Sequence, residues 1–259
     1  MNDALSDNAL SELQRLAIDA VHSVSELILS GFRSPSLKRE RKPDGSVVTP
    51  FDLEAERRIR AFLGKHQPQP WPVFGEEFGA DTATARYRWV LDPIDGTLPY
   101  SRGLPTFGTL LGFEDLTTQR SVVGVIHLPA MHETYSAVRG CGAWCGKERL
   151  HVTPERPLAE CLVSLPVERY PTVVARASGA VPQLRCFADC YAHAMVARGC
   201  LDALAEFRLA RWDIAASEVL IEEAGGSVRI APTPNVSGKY DLILGSPQAA
   251  AALSELVGF

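Results

Sequence analysis

The chain holds no stretch approaching the roughly 18 consecutive apolar residues that a membrane-crossing helix needs. Its first residues, MNDALSDNAL, carry acids where a secretory leader needs a basic patch and an apolar core. No membrane partner and no targeting segment are expected, and the expected location is the cytoplasm. Positive charge is also scarce: 26 Lys and Arg face 31 Asp and Glu, a net charge of −5. That balance argues against a nucleic-acid partner, which requires a basic face to neutralise phosphates. The one basic run, SLKRERKPDG from Ser36 to Gly45, fits a solvated loop or a segment beside an anionic ligand equally well. Six cysteines include the CxxxC pairs Cys141/Cys145, in a glycine-rich hairpin with no flanking histidine at finger spacing, and Cys186/Cys190, on an expected helix. Small buried thiols in a reducing compartment are expected rather than zinc or disulfides.

What is present is material for a large core. The chain has 259 residues, 46% hydrophobic and 22% charged, which places it between one large domain and two intimate lobes. Apolar positions recurring at three and four residues predict a helix from Ala4 to about Phe32. TPFDLEAERRIRAFLGKH predicts a second, with Pro50 in its first turn. From Trp71 to Leu150 the texture changes to short β-rich runs with connections too short for crossovers, so a mixed or largely antiparallel sheet is expected. RGCGAWCGKERLHV reads as a glycine-rich hairpin and LAECLVSLP as a strand. Residues from Ala188 to Phe207 read as helix, which Gly199 ends or breaks before LDALAEF, a stretch that could be a strand; WDIAASEVLIEEAGG is the clearest helix, and DLILGSP with QAAAALSELV closes as strand and helix. The expectation is α+β joined to α/β, with an N-terminal α+β part over residues 1–155 and a C-terminal α/β part over 156–259.

Acids gather where such elements end. Asp52 and Asp213 stand at helix starts, where an N-cap explains either, and Glu76 and Glu77 follow the run VFG, where a solvated turn would explain both. LDPIDGT resists that explanation: Pro93 stiffens the backbone between Asp92 and Asp95, so both carboxylates can point to one side just past the strand. Two adjacent carboxylates repel unless a cation lies between them, and hard oxygen donors suit Mg²⁺ or Mn²⁺ rather than zinc. The Ile94 carbonyl would be a further ligand. Gly96 permits a tight backbone, and the N–H groups of Gly96 and Thr97 at a following helix start suit a phosphate. A metal nest beside an anion nest is equipment for phosphoryl transfer to water. His127, His132, His151 and His193 sit in no metal motif, and solvated or structural roles are expected of them.

GEE at Gly75–Glu77, DPIDGT at Asp92–Thr97 and WDIAASEVLIEEAGG at Trp212–Gly226 resemble, in order and spacing, the inositol monophosphatase superfamily of Mg²⁺-dependent, lithium-sensitive phosphomonoesterases. The resemblance covers most of the chain from about Lys42 onward. It implies a layered αβαβα sandwich, usually a homodimer, acting on a small phosphorylated alcohol with two or three Mg²⁺ ions. By the same resemblance Glu76, Asp92, Asp95 and Asp213 are metal ligands together with the Ile94 carbonyl. Asp52 pairs with Thr97 to orient the attacking water, helped by Glu76. Glu206, seven residues before Asp213, stands where relatives bind the substrate alcohol, and the loop around Lys42 matches a mobile loop that closes over the site.

GEEFG, RGLPTFGTLLGF and FADCYAHAMVARGCLDALAE look more like the histidinol-phosphate phosphatase branch. Asp189 and Glu206, with Asp95, would then face the organic part of the substrate, and acids there favour an amine-bearing alcohol over a neutral polyol. The alternative for Asp189 is a helix cap. Leu98 and Pro99 replace residues that are commonly polar in relatives, Ala188 stands where many have Gly, and the stretch from Ser164 to Arg185 is shorter than usual. Inositol, sugar or aminocyclitol phosphates remain alternative substrates, and a regulatory interaction protein that keeps the fold is the alternative of a different class.

Overall fold

The stripe Leu10, Leu13, Ala17, Ala20 and Val21 makes α1 (Asp7–His22), with the Ser6 hydroxyl accepting from the Ala9 N–H as its cap. This computed structural model describes residues 5–166 and 171–259, so the expected helix start at Ala4 lies outside the described residues. The single helix expected up to Phe32 is two. Ser23 turns its hydroxyl onto the Ala20 carbonyl at 2.6 Å, a local bond that competes with the helix ladder, and α2 (Ser25–Gly31) starts afresh. A two-stranded hairpin, β1 (Glu40–Arg41) and β2 (Val47–Val48), carries the basic loop into α3 (Pro50–His66).

The β-rich region supplies β3 (Val73–Gly75), β4 (Gly79–Ala80), β5 (Tyr87–Asp95), the one-turn helix α4 (Thr97–Ser101), β6 (Gly108–Asp115), β7 (Arg120–Leu128), β8 (Glu133–Val138), β9 (Gly142–Cys145) and β10 (Glu148–Arg149). The strands form an eight-stranded sheet in the order β10-β9-β8-β7-β6-β5-β3-β4, antiparallel except where β3 runs parallel to β5. The second half gives β11 (Leu162–Ser164), α5 (Pro171–Ser178), β12 (Gln183–Arg185), α6 (Asp189–Ala197), β13 (Ala203–Leu209), α7 (Arg211–Glu223), β14 (Ser227–Pro232), β15 (Tyr240–Gly245) and α8 (Pro247–Val257). Its five strands order as β12-β11-β13-β15-β14. The short stretch from Ser164 to Arg185 includes residues 167–170, which lie outside the described residues.

Alternation along the strands decides the layering. Leu111 and Val125 face α1 and α3, whereas their neighbours Leu110 and Ile126 face α6 and α7. In the smaller sheet Leu242 and Leu244 face the same central helices, and Ile243 faces α8 on the far side. Five layers follow, helix, sheet, helix, sheet, helix: the expected αβαβα sandwich. The central layer is the one both sheets share. Among the described residues no helix is long and apolar enough to cross a membrane.

α7 lies close on the large sheet because glycine leaves room for it. Gly112 and Gly124 are paired across β6 and β7, and a Cβ on Gly112 would come 2.9 Å from the Ala215 Cβ. A Cβ on Gly124 would collide with the Ala216 carbonyl oxygen. Gly124→Ala is therefore expected to destabilise by about 1–3 kcal/mol through overpacking, read as a lower denaturation midpoint at unchanged m-value; a midpoint equal to wild type would contradict this packing.

His127, 6% exposed on β7, is bonded through its ring to Ser25 Oγ at 2.8 Å and Thr134 Oγ1 at 3.0 Å. Burial, with His22 and His132 nearby, pushes its pKa down from 6.5 to about 4. Between those values the unfolded chain binds a proton that the folded chain refuses, so stability is full above pH 6.5 and falls as pH drops toward 4. His127→Gln should flatten the stability-versus-pH curve across that window in urea titrations, and an unaltered slope would show that His127 does not contribute.

Candidate active site

β5 does not end as a regular strand. Asp92 pairs with Leu110 and Asp95 with Gly108, so three steps on β5 match two on β6 and one residue is extra. In an uninterrupted strand, residues three apart point to opposite faces; a bulge returns them to one face. This bulge, more than the stiffness of Pro93, turns both carboxylates the same way. The bulge's backbone groups are accounted for: Thr109 Oγ1 donates to the Pro93 carbonyl at 2.8 Å, and the Ile94 N–H donates to Asp92 Oδ1 at 3.0 Å.

The third acid comes from the other half of the chain. Asp213 is the third residue of α7, not its cap, and its Oδ2 accepts from the Ala210 N–H at 2.7 Å. Oxygens of Asp92, Asp95 and Asp213 all lie within 4.8 Å of one another. Burial, then Glu76, Asp95 and Asp213, raises the Asp92 pKa well above the carboxylate range. Burial, then Asp189 and Asp213, does the same to Asp95, although the Cys190 N–H donates to its Oδ2. Asp213 is pushed up to about 7 by removal from water and by Glu76. Each carboxylate is thus held where its negative charge is unwelcome without a cation.

Glu76 follows β3, its N–H donating to the Leu91 carbonyl at 3.1 Å. Its Oε1 accepts from Lys42 Nζ at 2.7 Å, and the same ammonium reaches Glu77 Oε1 at 2.8 Å. The basic loop thus meets two carboxylates of the protein itself. Burial opposes the Lys42 charge, yet the two glutamates hold its pKa above the ordinary value. Glu56 was not singled out from the sequence. Fully buried on α3, it accepts from the Glu77 N–H at 2.9 Å, the Phe78 N–H at 3.2 Å and Arg60 Nε at 2.8 Å, and so fixes the turn that presents Glu76. The available signal was a charge within the stripe Asp52, Ala55, Glu56, Ile59 and Leu63.

Asp52 is likewise the third residue of its helix, with Thr49 as the cap. Its Oδ2 accepts from the Thr49 N–H at 2.8 Å and the Thr49 hydroxyl at 2.6 Å, leaving Oδ1 3.0 Å from Thr97 Oγ1. Burial pushes Asp52 up to about 6. Thr97 Oγ1 also lies 2.9 Å from the Ile94 carbonyl oxygen. Gly96 has φ of 79°, and a Cβ there would sit 2.9 Å from the Thr106 carbonyl. The helix that Thr97 opens runs only to Ser101, so little aligned dipole stands behind the N–H groups of Gly96 and Thr97.

Glu206 on β13 and Asp189 on α6 meet. The Asp189 N–H donates to Glu206 Oε1 at 3.0 Å. Ala188 precedes α6 as its cap and Asp189 is the first helical residue, with φ of 61°, so the helix-cap reading of Asp189 does not hold. Its Oδ2 points at Gly96, 3.4 Å from where a Cβ would be. His193, given only a solvated or structural role by the sequence, is buried, with its ring 2.7 Å from Glu206 Oε2 and 2.7 Å from Ser217 Oγ.

A family model for the inositol monophosphatase family matches residues 9–257. A histidinol-phosphatase of Streptomyces coelicolor is 34% identical over 240 residues, 88% of this chain and 87% of its own. An inositol-1-monophosphatase of Mesorhizobium japonicum is 33% identical over 205 residues, 74% of this chain and 75% of its own. Among solved structures, the extragenic suppressor protein SuhB from Bartonella henselae superposes with a TM-score of 0.86 at 25% identity, covering 95% of this chain and 98% of that one. Sequence match, layered fold and acid cluster agree, and the chain belongs to the inositol monophosphatase family of metal-dependent phosphatases.

Proposed function

We propose that this phosphatase hydrolyses histidinol phosphate to histidinol and phosphate with Mg²⁺ as its cofactor, as a cytoplasmic homodimer. The observation that carries the metal reading is the convergence of Asp92, Asp95 and Asp213 within 4.8 Å, a hard-oxygen set suited to Mg²⁺ or Mn²⁺. Glu76 and the Ile94 carbonyl complete the ligands we assign. When bound there, two or three such ions supply positive charge to the phosphate and the departing alkoxide and make a nearby water acidic.

Asp52 and Thr97 set the direction of attack. The Thr97 hydroxyl donates to Asp52 Oδ1 across 3.0 Å, so its oxygen offers a lone pair, and a water donating to that atom is turned with its own lone pair toward phosphorus. Glu76 takes the proton as the new O–P bond forms and the bond to the alcohol oxygen breaks; the electron pair leaves on that oxygen, which takes up a proton from solvent to give the alcohol. The N–H groups of Gly96 and Thr97 are assigned to the phosphate oxygens, and the hairpin bearing Lys42 to the segment that closes over them.

Asp189 and Glu206, with Asp95, form the alcohol side. Acids gathered there attract an ammonium or imidazolium more strongly than a neutral polyol, and the similarity to a histidinol-phosphatase supports the same choice. Inositol phosphate is the second reading, favoured by a relative of that name at nearly equal identity.

Asp92→Asn should lower kcat by at least about 100-fold and weaken the thermal shift produced by Mg²⁺, which for wild type is worth about 2.7 kcal/mol at 100 times Kd. Undiminished turnover, or a wild-type chain that Mg²⁺ does not stabilise, would sink the proposed site. Screening histidinol, inositol and sugar phosphates side by side tests the substrate. Asp189→Asn and Glu206→Gln are each expected to cut the preference for histidinol phosphate over inositol phosphate about tenfold, and unchanged relative rates would overturn the cation-attracting pocket.

A further inference from the structure

We infer that His193 is a positioning residue that sets substrate preference by holding the Glu206 carboxylate in one orientation, through a buried relay anchored on the helix that carries Asp213. The inference rests on the proposed role of Glu206 at the alcohol side.

The relay runs through three elements. Ser217 on α7, His193 on α6 and Glu206 on β13 are 0%, 1% and 5% exposed, respectively. The His193 ring joins them with contacts of 2.7 Å at each nitrogen, Nδ1 to Ser217 Oγ and Nε2 to Glu206 Oε2. An ionised carboxylate only accepts, so Nε2 carries the hydrogen; in the neutral ring Nδ1 then accepts, and the Ser217 hydroxyl donates. The tautomer is therefore set from both ends. The other carboxylate oxygen, Oε1, accepts from the Asp189 N–H at 3.0 Å. Two donors from α6, four residues apart, fix the carboxylate plane.

This differs from packing alone. A buried carboxylate without hydrogen-bond donors either protonates or turns away, and either change removes the negative charge offered to a cationic substrate. A hydrocarbon ring in place of His193 would fill the space and lose the donor. Ser217 also lies one helical turn beyond Asp213 on α7. One helix thus fixes a proposed metal ligand and, through His193, the proposed alcohol-binding acid. A carboxylate has about four acceptor positions, so bonds from His193 and Asp189 are compatible with a donor from the substrate.

The test uses the full chain with Mg²⁺ and compares kcat/KM for histidinol phosphate with kcat/KM for p-nitrophenyl phosphate, which has no amine. His193→Phe should lower the ratio of the two about tenfold, mainly through the KM for histidinol phosphate, while His193→Gln, which keeps an N–H donor, restores most of it. A parallel loss on both substrates, with the ratio unchanged, would mean a merely structural histidine and overturn the inference. Ser217→Ala is the milder probe should the phenylalanine chain fail to fold: a fall of about threefold in the ratio is expected, and no change overturns the relay. Glu206→Gln separates the two levels. If it leaves the ratio unchanged, the assignment of Glu206 to the alcohol side fails and the inference with it; if it lowers the ratio and His193→Phe does not, only the inference about His193 fails.

Discussion

Mutual repulsion among Asp92, Asp95 and Asp213 is the constraint around which the fold is arranged. Left alone, three carboxylates within 4.8 Å would move apart, take up protons or hydrate. None of these is easy here, because β5 is buried at every position except Arg88 and α7 is packed between two sheets. They are held together by the bulge in β5 that carries two of them, by the Ala210 N–H that fixes Asp213, and by the paired glycines that let α7 approach the sheet. Stability surrendered at such a site has to be offset by burial elsewhere, and the three apolar cores on successive faces of the sheets supply it.

Placement of α7 is secured by charge as well as by shape. Arg211 bonds Glu114 on β6 at 2.7 Å and Glu218, two turns along its own helix, at 2.5 Å. Arg120 on β7 pairs with Glu218 and Glu222, and Arg139 with Glu222. Buried ion pairs contribute little net stability after desolvation, but leaving one partner uncompensated costs about 3–5 kcal/mol. Glu114 and Glu218 are 3% and 2% exposed, and sliding α7 along the sheet would break the Arg211–Glu114 and Arg120–Glu218 pairs, leaving Glu114 with Arg88 alone and Glu218 with Arg211 alone. The network therefore penalises other registers of the helix that carries Asp213, two residues beyond Arg211.

How legible this was in the sequence depended on whether a feature is local. LDPIDGT and WDIAASEV announced acids at element ends, and the short apolar runs announced sheets covered by helices, whereas the five-layer order was implied by the family resemblance. The bulge was not legible, because it is defined by the register of β6 against β5 and not by Pro93 alone. Glu56 was passed over, and His193 was expected to be only solvated or structural, for the same reason: each is an ordinary residue on a helix until the turn or strand that it serves is packed against it. The break between α1 and α2 depends on one hydroxyl choosing a carbonyl, a competition too small to show in the apolar periodicity. β14, at the edge of the smaller sheet, has no fully buried residue and so no clear alternation to read.

Separation of the proposed metal ligands from the proposed alcohol-side residues would let one metal set serve different alcohols. Asp92, Asp95 and Thr97 belong to the end of β5 and the turn after it, whereas Asp189, His193 and Glu206 belong to α6 and β13. Replacing a side chain in the second group leaves the bulge and the Asp52–Thr97 contact untouched. Leu98, beside Thr97, is 50% exposed, so its departure from the usual polar residue alters the rim of the site without entering the carboxylate cluster. The two groups are nonetheless joined at the Cys190 N–H that donates to Asp95 and at the Ser217–His193 contact. Through those joints the start of α6 and the proposed metal ligands hold a common position, so that any effect of His193 and Asp189 on the proposed substrate preference acts within the distances that Asp95 and α7 already impose.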